Sequence, residues 1–317
     1  MTAVEPRLGS STPAQAGIGA FAYFEGGVVP IEDASVSIAT HSLNYGTAVF
    51  EGIRAYLQED GSTALLFGRE HYERLLRNAR LVRAAVPESA EALVEITLDL
   101  IRRNAHGGDV YIRPLIYKSA PNIRVQLTGL DDRIAIFTMP LGDYLPTGGI
   151  RVTVSGWQRV SDNAIPARGK ISGSYVNAAF AAEDAHAAGY DDAIMLTGDG
   201  HVAEASAANL FVVFGTEVAT PPLADDVLSG ITRRAIMQVA ADAGYDVVER
   251  RIDRSELYLA DEVFLTGTGV QVAPIASIDD RPIGSDGFSV SLDIQRRYFA
   301  AVRGTDPRYA SWLTPVS

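Results

Sequence analysis

Gly169-Lys170-Ile171-Ser172-Gly173-Ser174-Tyr175-Val176-Asn177 is the stretch on which the reading of this chain turns. Of 27 basic residues only two are lysine, Lys118 and Lys170; the other 25 are arginine. A lysine kept in so arginine-biased a chain points to chemistry that a guanidinium lacks. An ε-amine can lose its proton and attack a carbonyl, whereas arginine stays protonated in proteins. The small neighbours Gly169, Ser172, Gly173 and Ser174 leave room for a bulky group bonded to the side chain. The expectation is that Lys170 forms a Schiff base. The competing reading is a surface-loop lysine without a chemical role.

Composition narrows the classes. A chain of 317 residues allows two domains or one large one, and 47% hydrophobic with 21% charged residues is ordinary for a globular protein. A net charge of −12 argues against non-specific binding to nucleic acid or an anionic membrane. Met1 to Gln15 has neither a basic start nor an apolar core, so no secretory signal is read there, and no apolar run approaches a membrane span. Cysteine is absent, which excludes disulfides, thiolate metal sites and cysteine nucleophiles and fits a cytoplasmic protein. The histidines, His41, His71, His106, His186 and His201, lack ligand spacing, so no metal site is expected.

Along the chain, residues 1–18 are rich in Ser, Thr, Pro, Ala and Gly and read as a flexible arm. Phe21 to Pro30 reads as a hairpin turning at Gly26-Gly27, and Ala34 to Ile38 as a short strand. His41 to Tyr56 is dense in aromatics and glycines; Tyr45 and Phe50 there fit core packing or a pocket wall equally. Asp60-Gly61 is a turn. Residues 70–85 have helical spacing, with Arg74 beside the apolar face, and a second helix runs from about Ser89 to Asn104. Val110 to Tyr117 alternates as a strand, placing Tyr111 and Arg113 on one face. An arginine on a burial-type strand is costly unless it meets an anion. Lys118, at its end, is expected to be exposed. Arg133 to Pro140 is a further strand, and Tyr144 to Gly149 is the candidate linker.

The second half opens with a strand at Ile150 to Trp157. Lys170 follows a loop, a helix starts near Tyr175, Asp192 to Leu196 is a strand, and Asp199-Gly200 is a hairpin turn. Glu204 lies among small residues without a basic neighbour in sequence, so a buried carboxylate there needs a cationic or protonated partner. Leu228 to Thr232 opens a helix whose free N–H groups form an anion site or simply carry their own cap. Glu262 to Thr266 is a buried strand leading into Gly267-Thr268-Gly269, which is no dinucleotide fingerprint. A helix closes the chain at Val290 to Val302.

These parts suit one cofactor. An imine-forming lysine takes the aldehyde of pyridoxal 5′-phosphate. The phosphate needs a helix start and an arginine, met by Ile231, Thr232 and Arg74; the pyridine nitrogen needs a carboxylate, met by Glu204.

The chain resembles the class IV pyridoxal-phosphate enzymes of fold type IV, most closely the branched-chain amino acid aminotransferases. The resemblance runs from about Phe21 to Gly304. It rests on Tyr45-Gly46-Thr-Ala-Val-Phe-Glu-Gly-Ile-Arg54, Glu70-His-Tyr-Glu-Arg74-Leu, Tyr111-Ile-Arg113-Pro, Lys170 through Asn177, Glu204 with Asn209-Leu-Phe, Gly230-Ile-Thr232 and Gly267-Thr268-Gly269. It implies a two-domain α/β (α+β) fold: a small α/β sandwich domain over 19–144, a linker at 145–149, and a larger pseudo-barrel cofactor domain over 150–317. It implies that Lys170 bonds the cofactor and shuttles a proton, that Tyr175 hydrogen-bonds the ring hydroxyl, and that Glu204 pairs with the ring nitrogen. Arg74, Gly230, Ile231, Thr232 and Thr268 would hold the phosphate, and Leu228 would lie on the ring. Tyr111 with Thr268 and Gly269 would take the substrate α-carboxylate. Tyr45, Phe50 and Tyr144 would line the side-chain pocket, partly across a homodimer, and Arg113 would take the distal carboxylate of glutamate or 2-oxoglutarate. The implied activity is transamination between L-leucine, L-isoleucine or L-valine and 2-oxoglutarate. A D-amino acid or (R)-amine transaminase, or an aminodeoxychorismate-lyase-like enzyme of the same fold, is the alternative. Two stretches depart from the family pattern: Gly269-Val270-Gln271, where small residues usually precede an acidic one, and Ser172-Gly173-Ser174.

Overall fold

Glu25 (φ 50°) and Gly26 (φ 95°) close the first hairpin, between β1 (Phe21–Phe24) and β2 (Gly27–Pro30). Two successive left-handed residues match the twist of paired strands, so the turn falls one residue earlier than the sequence suggests. The structure, a computed structural model, describes residues 17–142, 149–284 and 287–316. Tyr144, most of the expected linker and all but the last two residues of the expected arm lie outside these.

Strands sort by chain order into two sheets. The first holds β1, β2, β3 (Val49–Phe50), β4 (Ile53–Leu57), β5 (Thr63–Leu66), β6 (Val110–Lys118) and β7 (Asp132–Pro140). The second holds β8 (Ile150–Gln158), β9 (Asp192–Leu196), β10 (Val202–Ala205), β11 (Asn209–Phe214), β12 (Glu217–Thr220), β13 (Asp246–Glu249), β14 (Glu262–Gly267), β15 (Gln271–Ile278) and β16 (Arg281–Pro282). The last strand, β17 (Leu313–Val316), returns to pair with β5, so the C-terminal end of the chain is hydrogen-bonded into the first sheet.

Helices cover what the strands leave apolar. The short α1 (His41–Tyr45) precedes β3; α2 (Gly68–Ala79) and α3 (Ala90–Asn104) pack on the first sheet around Leu75, Leu93, Ile112 and Ile136. Each such side chain withdrawn from water contributes roughly 2 kcal/mol. Ser89 caps α3 by accepting from the N–H of Ala92, and Arg102 and Arg103 sit in its last turn, where the helix dipole favours cations. In the second half, α4 (Tyr175–Ala187) connects the parallel strands β8 and β9, and α5 (Ile231–Asp242) connects the parallel strands β12 and β13. With α6 (Ser289–Val302), α5 buries one face of the second sheet, and a separate apolar cluster around Ile150, Leu210 and Leu265 fills the other. Burial on both faces is why β11 and β14 read as continuous apolar runs.

Two expectations are corrected here. Ala34 to Ile38 is not a strand: it pairs with nothing, and Val36 and Ile38 face solvent. Lys118 is not exposed. It is withdrawn from solvent, and its Nζ donates to Asp132 Oδ1 at 3.0 Å and to the Arg83 carbonyl at 3.2 Å. The neighbouring strand β7 supplies the counter-charge directly opposite, through the Lys118–Asp132 register. Among the described residues no helix is long and apolar enough to cross a membrane.

Candidate active site

Lys170 belongs to the second half of the chain but is stitched to the first. Its carbonyl accepts from the N–H of Phe50 at 3.0 Å, Ile171 bridges Val49, and Ser172 N–H donates to the Ala48 carbonyl at 2.8 Å. Gly46 and Gly173 meet backbone to backbone; a Cβ on Gly46 would lie 2.6 Å from the Gly173 Cα. The small residues flanking Lys170 thus serve a close chain crossing as well as leaving open space. A single 3₁₀ turn at Ser172–Ser174 then brings Tyr175 round, so that Lys170 Nζ donates to the Tyr175 hydroxyl at 2.7 Å. The rings of Tyr175 and Phe50 each stand 4.9 Å from Nζ.

Nζ faces a cavity of about 550 Å³ between the sheets. Glu204, on β10, lines it and is buried. The partner that sequence could not find is Arg159, just beyond β8: its Nη2 donates to Glu204 Oε1 at 2.9 Å. Oε2 accepts from Asn209 Nδ2 at 3.0 Å and from the N–H of Leu228 at 3.1 Å. Burial pushes the Glu204 carboxyl above its ordinary value, while Arg159 and the Leu228 N–H pull the other way. A carboxylate so placed is primed to share a proton with a basic nitrogen in the cavity.

At another wall α5 begins. Gly230 is its cap residue and supplies no side chain, leaving the first N–H groups of the helix uncapped at buried Ile231 and Thr232. A Cβ on Gly230 would collide with Asn209 Oδ1, so the close turn needs glycine. Arg74 reaches this point from α2. Its Nη1 donates to the Ser229 carbonyl at 2.6 Å, and its Nε and Nη2 donate to Glu51 at 2.6 and 2.7 Å. Glu51 also accepts from His71 Nδ1 at 2.8 Å. Burial would raise the Glu51 carboxyl, but the Arg74 guanidinium and the His71 ring hold it down at about 2. Burial depresses His71, so its neutral ring is the donor. Three of Arg74's five N–H donors are used, which leaves two for an anion at the helix start.

The first sheet supplies the remaining wall. Tyr111 and Arg113 share a face of β6, and Arg113 donates to the Tyr111 hydroxyl through Nη2 at 2.7 Å and Nε at 3.2 Å. The guanidinium lies over the Phe50 ring at 4.7 Å. Opposite, Gly267 to Val270 form the tight turn between β14 and β15, and Leu228 and the Gly269 turn both border the open space.

Of the residues singled out from sequence, Phe50, Arg74, Tyr111, Arg113, Lys170 and Tyr175 line this one cavity. So do Glu204, Leu228, Gly230, Ile231, Thr232, Thr268 and Gly269. Tyr45 does not: its hydroxyl donates to the Ile123 carbonyl and its ring leans on His41. Sequence reasoning missed Arg159, Asn209 and Glu51. Glu51 and Asn209 carried a signal, since both stand inside stretches quoted for the resemblance, though with no role assigned to them; Arg159 carried none.

Against known proteins, the model of the family described as amino-transferase class IV matches residues 48–278. A relative from Aquifex aeolicus (strain VF5), named a probable branched-chain-amino-acid aminotransferase, is 47% identical over 300 residues, covering 93% of this chain and 96% of its own. The solved branched-chain aminotransferase from the thermophilic archaeon Thermoproteus uzoniensis, with norvaline, superposes with TM-score 0.91 at 40% identity, covering 95% of this chain and all of that one. The branched-chain amino acid aminotransferase from Thermobaculum terrenum, solved in its PLP-form, gives TM-score 0.90 at 32% identity, covering 95% and 99%. The α/β architecture expected from the sequence is the fold of these enzymes, and the chain belongs to the class IV aminotransferase family.

Proposed function

We propose that the chain is a pyridoxal-phosphate-dependent aminotransferase that moves the amino group between L-leucine, L-isoleucine or L-valine and 2-oxoglutarate. Its strongest support is the pairing, across one cavity, of the Lys170 amine held at 2.7 Å by Tyr175 with the buried carboxylate of Glu204. The relatives' names and the PLP-form of the Thermobaculum terrenum enzyme point the same way.

The residues present fit the cofactor. Its aldehyde suits Lys170, its ring nitrogen Glu204, and its phosphate the uncapped start of α5 beside the two spare donors of Arg74. Bound there, pyridoxal phosphate supplies an aldehyde for amines and a protonated ring that accepts the electron pair left at the substrate Cα. Everything else is the work of this chain. Lys170 Nζ would be the base that takes the proton from the substrate Cα. Tyr175 orients that amine. Arg159, Asn209 and the Leu228 N–H fix both oxygens of Glu204, so the carboxylate would meet a ring nitrogen in the cavity without turning. Tyr111 and the N–H groups of the Thr268-Gly269 turn receive the α-carboxylate. Phe50, Leu115 and Met139 offer apolar wall to a branched side chain, and Arg113 offers a cation to a distal carboxylate. One site then accepts an apolar and an acidic partner in turn.

We also propose the domain division at 145–149 and at least a homodimer. Ile38 and Val125 are 88% and 89% exposed, and Leu43 on α1 and Ile123 are exposed too, on two segments joined by the Thr40–Pro121 bridge. A second copy covering them would bring Tyr45 and its neighbours to a cavity wall. Sedimentation of the holoenzyme checks the assembly. The activity is checked by following glutamate from L-leucine and 2-oxoglutarate. Turnover of D-leucine or (R)-1-phenylethylamine in preference to L-leucine would overturn the substrate assignment.

A further inference from the structure

We propose that Gln271 and Tyr56 form a tie between the two sheets that sets the width of the α-carboxylate subsite, which makes both of them positioning residues. The inference rests on the reading above, in which Tyr111 and the Thr268-Gly269 turn take that carboxylate. The subsite is split: Tyr111 stands on β6 of the first sheet, and the turn belongs to β14 and β15 of the second. A carboxylate spanned by donors on both sides tolerates little change in the gap, because hydrogen bonds weaken steeply with distance and angle. The ladder within either sheet cannot fix a spacing between sheets.

Gln271 can. It is the first residue of β15, pairs with Gly267 and closes the turn; Thr266 Oγ1 donates to its carbonyl at 2.8 Å. Its φ of 57° is left-handed, a conformation where backbone preference alone favours glycine. What glutamine adds is reach. Its buried Nε2 donates to the Tyr56 hydroxyl at 3.2 Å, across 215 residues of sequence. Tyr56 is a firm anchor on β4: fully buried, with the Arg54 guanidinium 5.6 Å and the Arg303 guanidinium 5.1 Å from its ring centre. Arg303 is itself fixed to Asp109 at 2.6 and 2.8 Å. Arg54, two residues before Tyr56, pairs in register with Tyr111. The strand pair that carries one half of the subsite therefore also holds the post to which the other half is tied.

The test uses holoenzyme and 4-methylvalerate, a carboxylate with no amino group to react. Its Kd is measured by calorimetry for wild type, Gln271→Gly, Tyr56→Phe and the double variant. Gln271→Gly suits the left-handed backbone, so a loss of affinity there cannot come from strain. Each single variant should raise Kd about tenfold, with the double variant no worse than Tyr56→Phe, because both remove the Gln271–Tyr56 bond, and Tyr56→Phe also removes the hydroxyl's bond with Tyr298. KM for L-leucine and L-glutamate should rise by the same factor, since both carry the α-carboxylate, while cofactor occupancy stays that of wild type. Kd within twofold of wild type in folded variants, or losses that add in the double variant, would overturn the tie. Failure of wild type itself to bind 4-methylvalerate would instead remove the carboxylate reading, and the tie with it.

Discussion

Arg74 meets Glu51 edge to edge: Nε donates to Oε1 at 2.6 Å and Nη2 to Oε2 at 2.7 Å, both side chains withdrawn from water. The pair leaves the far side of the guanidinium turned to the cavity. Glu51→Ala would leave a buried unpaired cation and should cost about 3–5 kcal/mol in denaturant unfolding. The pH dependence has a definite sign. The folded carboxyl sits at about 2, below its ordinary 4.5, so its contribution is complete above the ordinary value and fades as pH falls toward 2. That contribution is about 3 kcal/mol. Stability of Glu51→Gln should accordingly be flatter across this window than that of the parent.

Lys170→Ala should abolish the cofactor absorbance band that borohydride bleaches and lower transamination by a factor of about 10³ or more, as expected when base and covalent anchor go together. A persistent band or retained turnover would contradict the assigned role.

Lys118 provides the contrast, since both lysines of the chain are held by specific partners. Lys118→Met strands Asp132 without its cation and should lower stability by roughly 3 kcal/mol. It should leave the cofactor band in place, because Lys118 does not border the cavity. Melting curves and cofactor spectra of the two lysine variants should show opposite patterns.

Arg113→Ala should weaken glutamate far more than leucine, by roughly 2–4 kcal/mol in apparent binding, because only the acidic substrate loses a charge-assisted partner. Equal losses of kcat/KM on both substrates would refute a dual-substrate role for this arginine.

Elements were readable where local rules decide them. Ser89 caps a helix that ends at Asn104, and Asp60-Gly61 and Asp199-Gly200 mark turns, because capping and turn chemistry act over a few residues. The same rules erred at Ala34 to Ile38, where alternation without a neighbouring strand makes no sheet. They erred at Lys118 too, where the terminal residue of a strand is buried by what lies opposite it.

The sequence by itself determined the cofactor chemistry of this protein: a rare lysine, a carboxylate among small residues, an arginine beside a helical face and a helix start rich in small residues. Those residue types are demanded by the reaction, so they are visible wherever they stand. Only the tertiary structure decided their partners. Arg159 for Glu204, Glu51 for Arg74 and Tyr56 for Gln271 are distant in sequence and meet because two sheets close on one cavity. The charge state and aim of a buried group depend on which neighbours replace water around it, and that is fixed only when the chain is folded.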